Sequence, residues 1–485
     1  MPLPSGVEQL TGNDQATQDK RVALLNGLNV LFLGMPNLPG MSGSLYEKNE
    51  ALVATGANIW AVFNSEEDEL YKFLQCGEKK LFPKSMFADL MSDDVYVQAE
   101  NVKKAAAEAG VTFDGVFSPY ENMMTVVGAC AEVMGLPGNI VSAYLTARDK
   151  HTAREVLRKA GIATPASARV STVEDIDQAC KDVGFPMIVK PTAGAGSQGV
   201  YIARSESEVK GLVTKLLDEI SGNAFLSYNP GVSDGGIVCE EFLEGDETDV
   251  DCLLSPGEGN KAVYRNVCDN GPCVPPFFVE NRENAPSLLP DDAQTQLKDY
   301  AESCLRAFGF TVGCFHVECM WTKKGPRLIE VNPRMGGGPV PQFHMDAYGV
   351  DMYLNFFLAL CDIPINPPLP KEPLCTLVSY WIASPTTGTL NSLDFLEKVK
   401  AHPKCISAAP NFKVGDKVKG VDKSVPDVLG AFMLKYTYAE RVQAVKEGEE
   451  LGESLEFDIT PEEKAPRRPS RRMSLLEPQD LVDNN

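Results

Sequence analysis

The sequence predicts a mixed α/β and α+β protein of several domains, and three observations carry that expectation. At 485 residues the chain is too long for one simple core, so about two to four domains are expected. Its first third alternates apolar runs of strand length with helix-like stretches, the pattern of an open parallel sheet. Its middle places β-prone runs on either side of short glycine-containing loops, the pattern of antiparallel hairpins. A hydrophobic content of 44% and a charged content of 23% are those of a soluble globular protein.

Residues 1–24 are polar and poor in bulky apolar side chains, which predicts a loose arm. Residues 28–34, LNVLFLG, form an apolar run that stops at glycine, as a buried parallel strand does. A helix over 45–55, a strand over 58–63, a helix over 95–109, a short strand over 115–118 and a helix over 125–134 complete an N-terminal α/β domain, residues 25–140. The loop from Gly34 to Ser44 lacks the G-x-G-x-x-G spacing of a dinucleotide fingerprint and reads as a turn. Residues 142–161 have helical periodicity and a glycine stop, residues 162–170 are extended, and a helix follows over 173–183.

Residues 185–203, FPMIVKPTAGAGSQGVYIA, form the first stretch with chemistry in it. A strand presents Lys190, a loop follows with Gly194, Gly196 and Gly199, and a second strand closes the unit. Glycine lets backbone N–H groups approach a phosphate, and Ser197 adds a hydroxyl donor. The unit is strand–loop–strand without G-K-[ST], so it differs from a Walker loop. It reads either as a flap over a triphosphate or as an ordinary β-hairpin. Strands over 236–243, 248–254 and 262–267 and helices over 207–220 and 293–308 come next.

The second chemical stretch is residues 315–338, FHVECMWTKKGPRLIEVNPRMGGG. Strands over 315–320 and 327–332 flank Lys323-Lys324-Gly325, with the glycine suited to a left-handed position. A hairpin centred on Lys324 sets Glu318 opposite Glu330, within one residue of bulge, and alternation puts Glu330 and Asn332 on one face. Two adjacent carboxylates repel unless a cation lies between them, and oxygen-only ligands suit Mg²⁺. The alternative is an amphipathic hairpin whose carboxylates face solvent. An apolar helix over 350–361 and the proline cluster PINPPLPKEP, residues 364–373, lead to a small C-terminal α+β domain, residues 374–459. Residues 460–485 read as a disordered tail, where R-R-P-S and R-R-M-S place Ser470 and Ser474 in a pattern that attracts basophilic kinases.

Bulk properties exclude several classes. A net charge of −22 argues against nucleic acid as a partner, since that needs a basic face. No run of about 18 apolar residues predicts a membrane span, and the first twenty residues lack a signal-peptide core. Thirteen cysteines without C-x-x-C pairs read as reduced thiols in the cytoplasm. With only His151, His316, His344 and His402, a zinc site or a histidine-activated nucleophile is not expected.

Taken in order, Lys150, the Lys190 loop, the 240–247 segment and the Glu318/Glu330/Asn332 hairpin resemble the ATP-grasp superfamily over residues 140–360. The resemblance implies an ATP-grasp domain over 141–363 that holds ATP between two α+β lobes, with the flap lobe over about 165–243. Lys150 and Lys190 resemble the lysines on the α- and β-phosphates, and Gly194, Gly196, Ser197 and Gly199 the phosphate flap. Glu240, Glu241 and Leu243 resemble the adenine hinge, and Glu247 the ribose ligand. Glu241 stands where many relatives carry lysine, which leaves the backbone contacts to adenine but not a side-chain contact. Glu318, Glu330 and Asn332 resemble the ligands of Mg²⁺ (or Mn²⁺), and Arg334 the arginine beside the transferring phosphoryl group.

The stretch around Glu280 and the glycines Gly336 and Gly337 resemble carnosine synthase and bacterial L-amino-acid ligases. That implies a carboxylate–amine ligase using amino-acid-like substrates, with Glu280 near an amino group and Arg334, Gly336 and Gly337 near a carboxylate. Many members of this superfamily dimerise, so a homodimer is the assembly implied. Two other readings are a carboxylating enzyme like biotin carboxylase or the purine-biosynthetic members, and an ATP-binding regulator without catalysis.

Overall fold

A computed structural model describes residues 10–36, 38, 40–75, 80–194, 196–221, 236–257, 261–272, 278, 280–421 and 425–462. Ser470 and Ser474 lie outside the described residues. Helix α1 (Gln15–Ala23) corrects the expectation of a loose arm over 1–24. Its physical cause is Arg21, which is fully buried and donates to the carbonyls of Leu10 at 2.6 Å and Asn366 at 2.9 Å. A guanidinium satisfied by main-chain oxygens ties this segment to the proline-rich stretch near residue 366.

The N-terminal unit is the open parallel sheet that the alternating pattern predicts. It runs β1 (Asn29–Leu33), α2 (Gly43–Ala54), β2 (Asn58–Phe63), α3 (Glu69–Gln75), β3 (Lys84–Phe87), α4 (Val95–Glu108), β4 (Gly115–Phe117) and α5 (Met124–Met134). Strand order is β3-β2-β1-β4, all parallel. The sequence reading passes over α3 and β3, at seven and four residues too short for a clear period.

The single helix expected over 142–161 is two, α6 (Val141–Arg148) and α7 (Lys150–Lys159). Asp149 breaks them with extended backbone, caps α7 by accepting from the Thr152 N–H at 2.7 Å, and pairs with Arg169 at 2.5 Å. The break starts α7 at Lys150, whose own N–H donates to the Thr192 carbonyl at 3.0 Å.

A separate antiparallel sheet follows. Strand β5 (Ser167–Val170), α8 (Ile176–Val183), β6 (Met187–Pro191), β7 (Tyr201–Ala203), α9 (Glu206–Ser221) and β8 (Ile237–Glu241) assemble in the order β5-β8-β6-β7. The two helices close its core through Ile176, Ala179, Val209 and Val213.

The largest layer is an eight-stranded sheet. In chain order come β9 (Gly245–Leu254), β10 (Ala262–Asn270), β11 (Arg282–Ala285), α10 (Asp291–Phe308), β12 (Gly313–Thr322), β13 (Gly325–Asn332), α11 (Val340–Tyr348), α12 (Met352–Leu360) and β14 (Thr376–Ala383). Then come β15 (Gly388–Leu390), α13 (Phe395–Lys400), β16 (Cys405–Pro410), β17 (Lys417–Val418), β18 (Val428–Tyr436), α14 (Arg441–Glu453) and β19 (Ile459–Pro461). The sheet order is β13-β12-β9-β10-β11-β14-β18-β16.

The C-terminal region therefore does not build its main sheet alone. β14 pairs with β11, a strand the sequence reading misses, and so covers what would be an open edge. Only β17-β15-β19 is a sheet of its own, over a local core that includes Leu390, Phe395 and Leu396. One apolar core joins the parallel sheet to the large one. Phe117 at the end of β4 meets Tyr353, Phe356 and Phe357 of α12 at ring distances of 5.2, 5.2 and 5.4 Å. Among the described residues no helix is long and apolar enough to cross a membrane.

Candidate active site

The hairpin β12–β13 turns through Lys323 and Lys324 into Gly325, whose φ of +87° is the left-handed position expected of it. Its register sets Glu318 against Glu330, with a one-residue shift immediately after. On the other side of β12, Glu318 faces Asp249 of β9. Three acids thus stand in a row across three strands, an arrangement that is unfavourable without compensation. The next row on the same face reads Asn332, His316 and Asp251.

This face lines a cavity of about 480 Å³ between the hairpin and the smaller antiparallel sheet. Lys150, Lys190, Gly194, Gly196, Ser197, Glu240, Glu241, Leu243, Glu247, Glu280, Glu318, Glu330, Asn332 and Arg334 all line it. Gly199, Gly336 and Gly337 do not line it. Gly199 has φ +73°, and a Cβ there would sit 3.0 Å from Pro191, so the residue is needed for packing beneath the loop. Gly336 is packed against His316, with Nδ1 2.7 Å from where a Cβ would lie, and Gly337 faces open space.

Each lysine already holds a carboxylate. Lys150 Nζ lies 2.7 Å from Glu330 Oε1, and Lys190 Nζ lies 2.8 Å from Glu240 Oε2. Glu240 also receives Arg154 Nε at 3.0 Å, and burial of Lys190 lowers its ammonium below the ordinary value. Burial works against charge on Glu240, but Arg154 and Lys190 outweigh it and hold the carboxyl below the usual range. The Glu240 side chain is therefore shared between Lys190 and Arg154. Arg334 donates to Glu121 from Nε at 3.1 Å and from the guanidinium end at 2.9 Å. Glu121 is shared with Arg148, and against burial these cations hold its carboxyl low.

The acids toward the hairpin behave differently. Burial and then the Glu318 charge push Glu280 up to about 8. Burial and then Glu330 raise Glu318, although it accepts from Asn332 Nδ2 at 2.8 Å. Glu283 is pushed up to about 7, first by burial. One row deeper, Asp251 accepts from His316 Nδ1 at 2.9 Å and meets His344 Nε2 at 2.9 Å. His316 is raised to about 10, because Asp249 and Asp251 more than offset its burial.

The residues fit a divalent cation. Glu318, Glu330 and Asn332 offer only oxygen and amide donors, and buried carboxylates outnumber the cations beside Glu318. Four positions that line or brace the cavity escape the sequence reading. Glu121 lies just past β4, at the carboxyl end of a parallel strand, and that placement is the signal that could have flagged it. Arg154, Phe278 and Trp381 carry no such signal. Ser197 Oγ donates to the Phe278 carbonyl at 2.9 Å, joining the glycine loop to the segment that ends at Glu280.

Residues 183–341 match the family described as ATP-grasp domain. The chain carries an ATP-grasp domain. It is 30% identical to carnosine synthase 1 of Homo sapiens over 54% of this chain and 32% of that protein. The match therefore spans about a third of that relative. It is 28% identical to the uncharacterized protein y4rH of Sinorhizobium fredii (strain NBRC 101917 / NGR234), over 67% of each chain. Among solved structures, the L-amino acid ligase from Bacillus licheniformis covers 90% of this chain and 99% of its own, at 22% identity and a TM-score of 0.69. The likeness to that structure's fold thus takes in 90% of this chain, well beyond residues 183–341.

Proposed function

We propose that this ATP-grasp protein joins a carboxylate to the amine of an amino-acid-like substrate, releasing ADP and phosphate. The observation that carries the reading is the single cavity shared by Lys150, Lys190, Glu318, Glu330, Asn332 and Arg334, beneath a glycine-rich loop. The similarity to carnosine synthase and to an L-amino acid ligase supports the substrate class. The reading assigns residues 141–363 to the catalytic unit, 25–140 to the domain before it and 374–459 to the region after it.

On this reading Lys150 and Lys190 turn from Glu330 and Glu240 to the triphosphate. Ser197 and the N–H groups of Gly194 and Gly196 reach the phosphates from above. Leu243 and the backbone beside Glu241 flank the base, and Glu247 takes ribose hydroxyls. Glu318, Glu330 and Asn332 hold Mg²⁺ or Mn²⁺, which when bound neutralises phosphate oxygens. A substrate carboxylate oxygen attacks the γ-phosphorus, the bond to ADP breaks, and an acyl phosphate forms. Arg334, fixed by Glu121, stabilises charge on the moving phosphoryl group. The amine nitrogen then attacks the acyl carbon, phosphate leaves, and the nitrogen loses a proton. Closure of the loop that carries Ser197 protects the acyl phosphate from water. Glu280 receives the substrate ammonium, a cation suited to a carboxyl crowded by other acids.

The test is ADP release across pairs of amino acids, with hydroxylamine added to trap the acyl phosphate as a hydroxamate. Release that needs an amine, with hydroxamate formed in its place, is the expected result. Turnover that depends on bicarbonate instead would sink the ligase reading.

A further inference from the structure

Trp381 stands on β14 where two cavities meet. One is the site above. The other, about 460 Å³, opens over β14, β18 and β16 and is lined by Ser379, Ser407, Asn411, Ala431 and Met433 among others. Trp381 and Val428 line both cavities. No charged side chain lines the second one among the described residues.

Trp381 lies between the two segments that the ligase reading gives to the substrate. On one side it covers Gly338, where a Cβ would lie 2.9 Å from Trp381 Cζ2 and where φ is +51°. On the other, the backbone N–H of Trp381 donates to the Asn281 carbonyl at 2.8 Å, one residue past Glu280. Of the β14 residues, Trp381 lines the first cavity, together with Glu280 and Arg334.

We infer that Trp381 is the specificity-determining partition of the substrate end. It limits the length of the substrate side chain, and the cavity behind it admits a longer uncharged chain when the indole is reduced. The inference rests on the ligase reading for the identity of that substrate. The uncharged lining sets the chemistry, because a charge moved there loses water and gains no partner. Discrimination by one methylene in an apolar pocket is about 10-fold or more, which makes the effect measurable.

The test measures binding of L-alanine, L-norvaline, L-norleucine and L-lysine by calorimetry, to the full chain with Mg²⁺ and a non-hydrolysable ATP analogue. ADP release is followed in parallel. Trp381→Ala should shift the preference for norleucine over alanine by about tenfold and leave lysine unfavoured. Adding Ala409→Leu, which fills the second cavity, should cancel that gain. Trp381→Phe should move the preference the same way by less, and serves if the alanine variant does not fold. Unchanged preferences in a variant that still binds nucleotide would overturn the inference, as would an equal gain for lysine. Failure of every amino acid to bind either protein overturns it together with the ligase reading. A shift in binding without turnover sinks the ligase chemistry alone.

Discussion

Two neighbouring rows of side chains cross the same face of the large sheet and solve the same problem in opposite ways. The row Asn332, His316 and Asp251 is internally compensated: burial works against charge on Asp251, but two imidazoles hold its carboxyl well below the usual range. The row Glu330, Glu318 and Asp249 is only partly compensated: Lys150 pairs with Glu330 and His316 lies 3.6 Å from Asp249, yet burial and then Glu330 raise Glu318, and burial raises Asp249. The compensated row is a structural brace. The partly compensated row reaches the cavity through Glu318 and Glu330, where buried carboxylates still outnumber the cations beside them. Buried acids thus mark a binding site by what they lack beside them.

The comparison breaks most sharply at Glu330. Glu330→Gln should lower turnover about 10³-fold while far-UV circular dichroism stays unchanged, the size of loss typical for one transition-state electrostatic contact. Ordinary activity in that variant would remove the metal role from the row of Glu330, Glu318 and Asp249. Asp251→Asn probes the other row and should act on stability, by about 3 kcal/mol, because two imidazoles lose their carboxylate partner. Urea unfolding measures it, and a stable variant with altered dependence on metal would mean the rows are not distinct.

Lys190→Met should raise the KM for ATP about tenfold, as expected for loss of one charged hydrogen bond. It should also leave Glu240 with Arg154 alone, so a small loss of melting temperature accompanies it. An unchanged KM would separate Lys190 from the phosphates.

The smallest effect concerns pH. Glu280 is pushed up to about 8 in the folded protein, against about 4.3 in an unfolded chain. Between those values the folded state keeps a proton that the unfolded state has lost. Its contribution is therefore complete below about pH 4 and fades as pH rises to about 8. Glu280→Gln should flatten that fall in melting temperature, measured without ligands from pH 5 to 8. Parallel curves for the two proteins would put the slope on other groups.

What the chain discloses before folding follows from range of interaction. The opposition of Glu318 and Glu330 is readable because a two-residue loop and a period of two fix it locally. The glycine loop after Lys190 is readable for the same reason. Glu121 is not, because it reaches Arg334 across 213 positions of sequence, a meeting that depends on tertiary packing such as that of Phe117 on α12. Trp381 is hidden likewise: its place depends on β14 pairing with β11, four residues whose composition, Arg-Glu-Asn-Ala, does not read as a strand. Residues 10–24 mislead because a buried arginine, with Val22 and Leu24 packed against the core, ties down a stretch poor in apolar bulk.

The pairing of Lys150 with Glu330 has one more consequence. On the ligase reading, a triphosphate arriving at the site draws Lys150 away and leaves a Glu330 oxygen without its partner. The anion thereby creates the seat for the cation, and the cation in turn keeps Lys150 from returning. Nucleotide and metal then bind with positive heterotropic cooperativity, each raising the affinity of the other by the same factor. A single proton-sized exchange of partners, from carboxylate to phosphate, makes the empty site self-closed and the loaded site self-consistent.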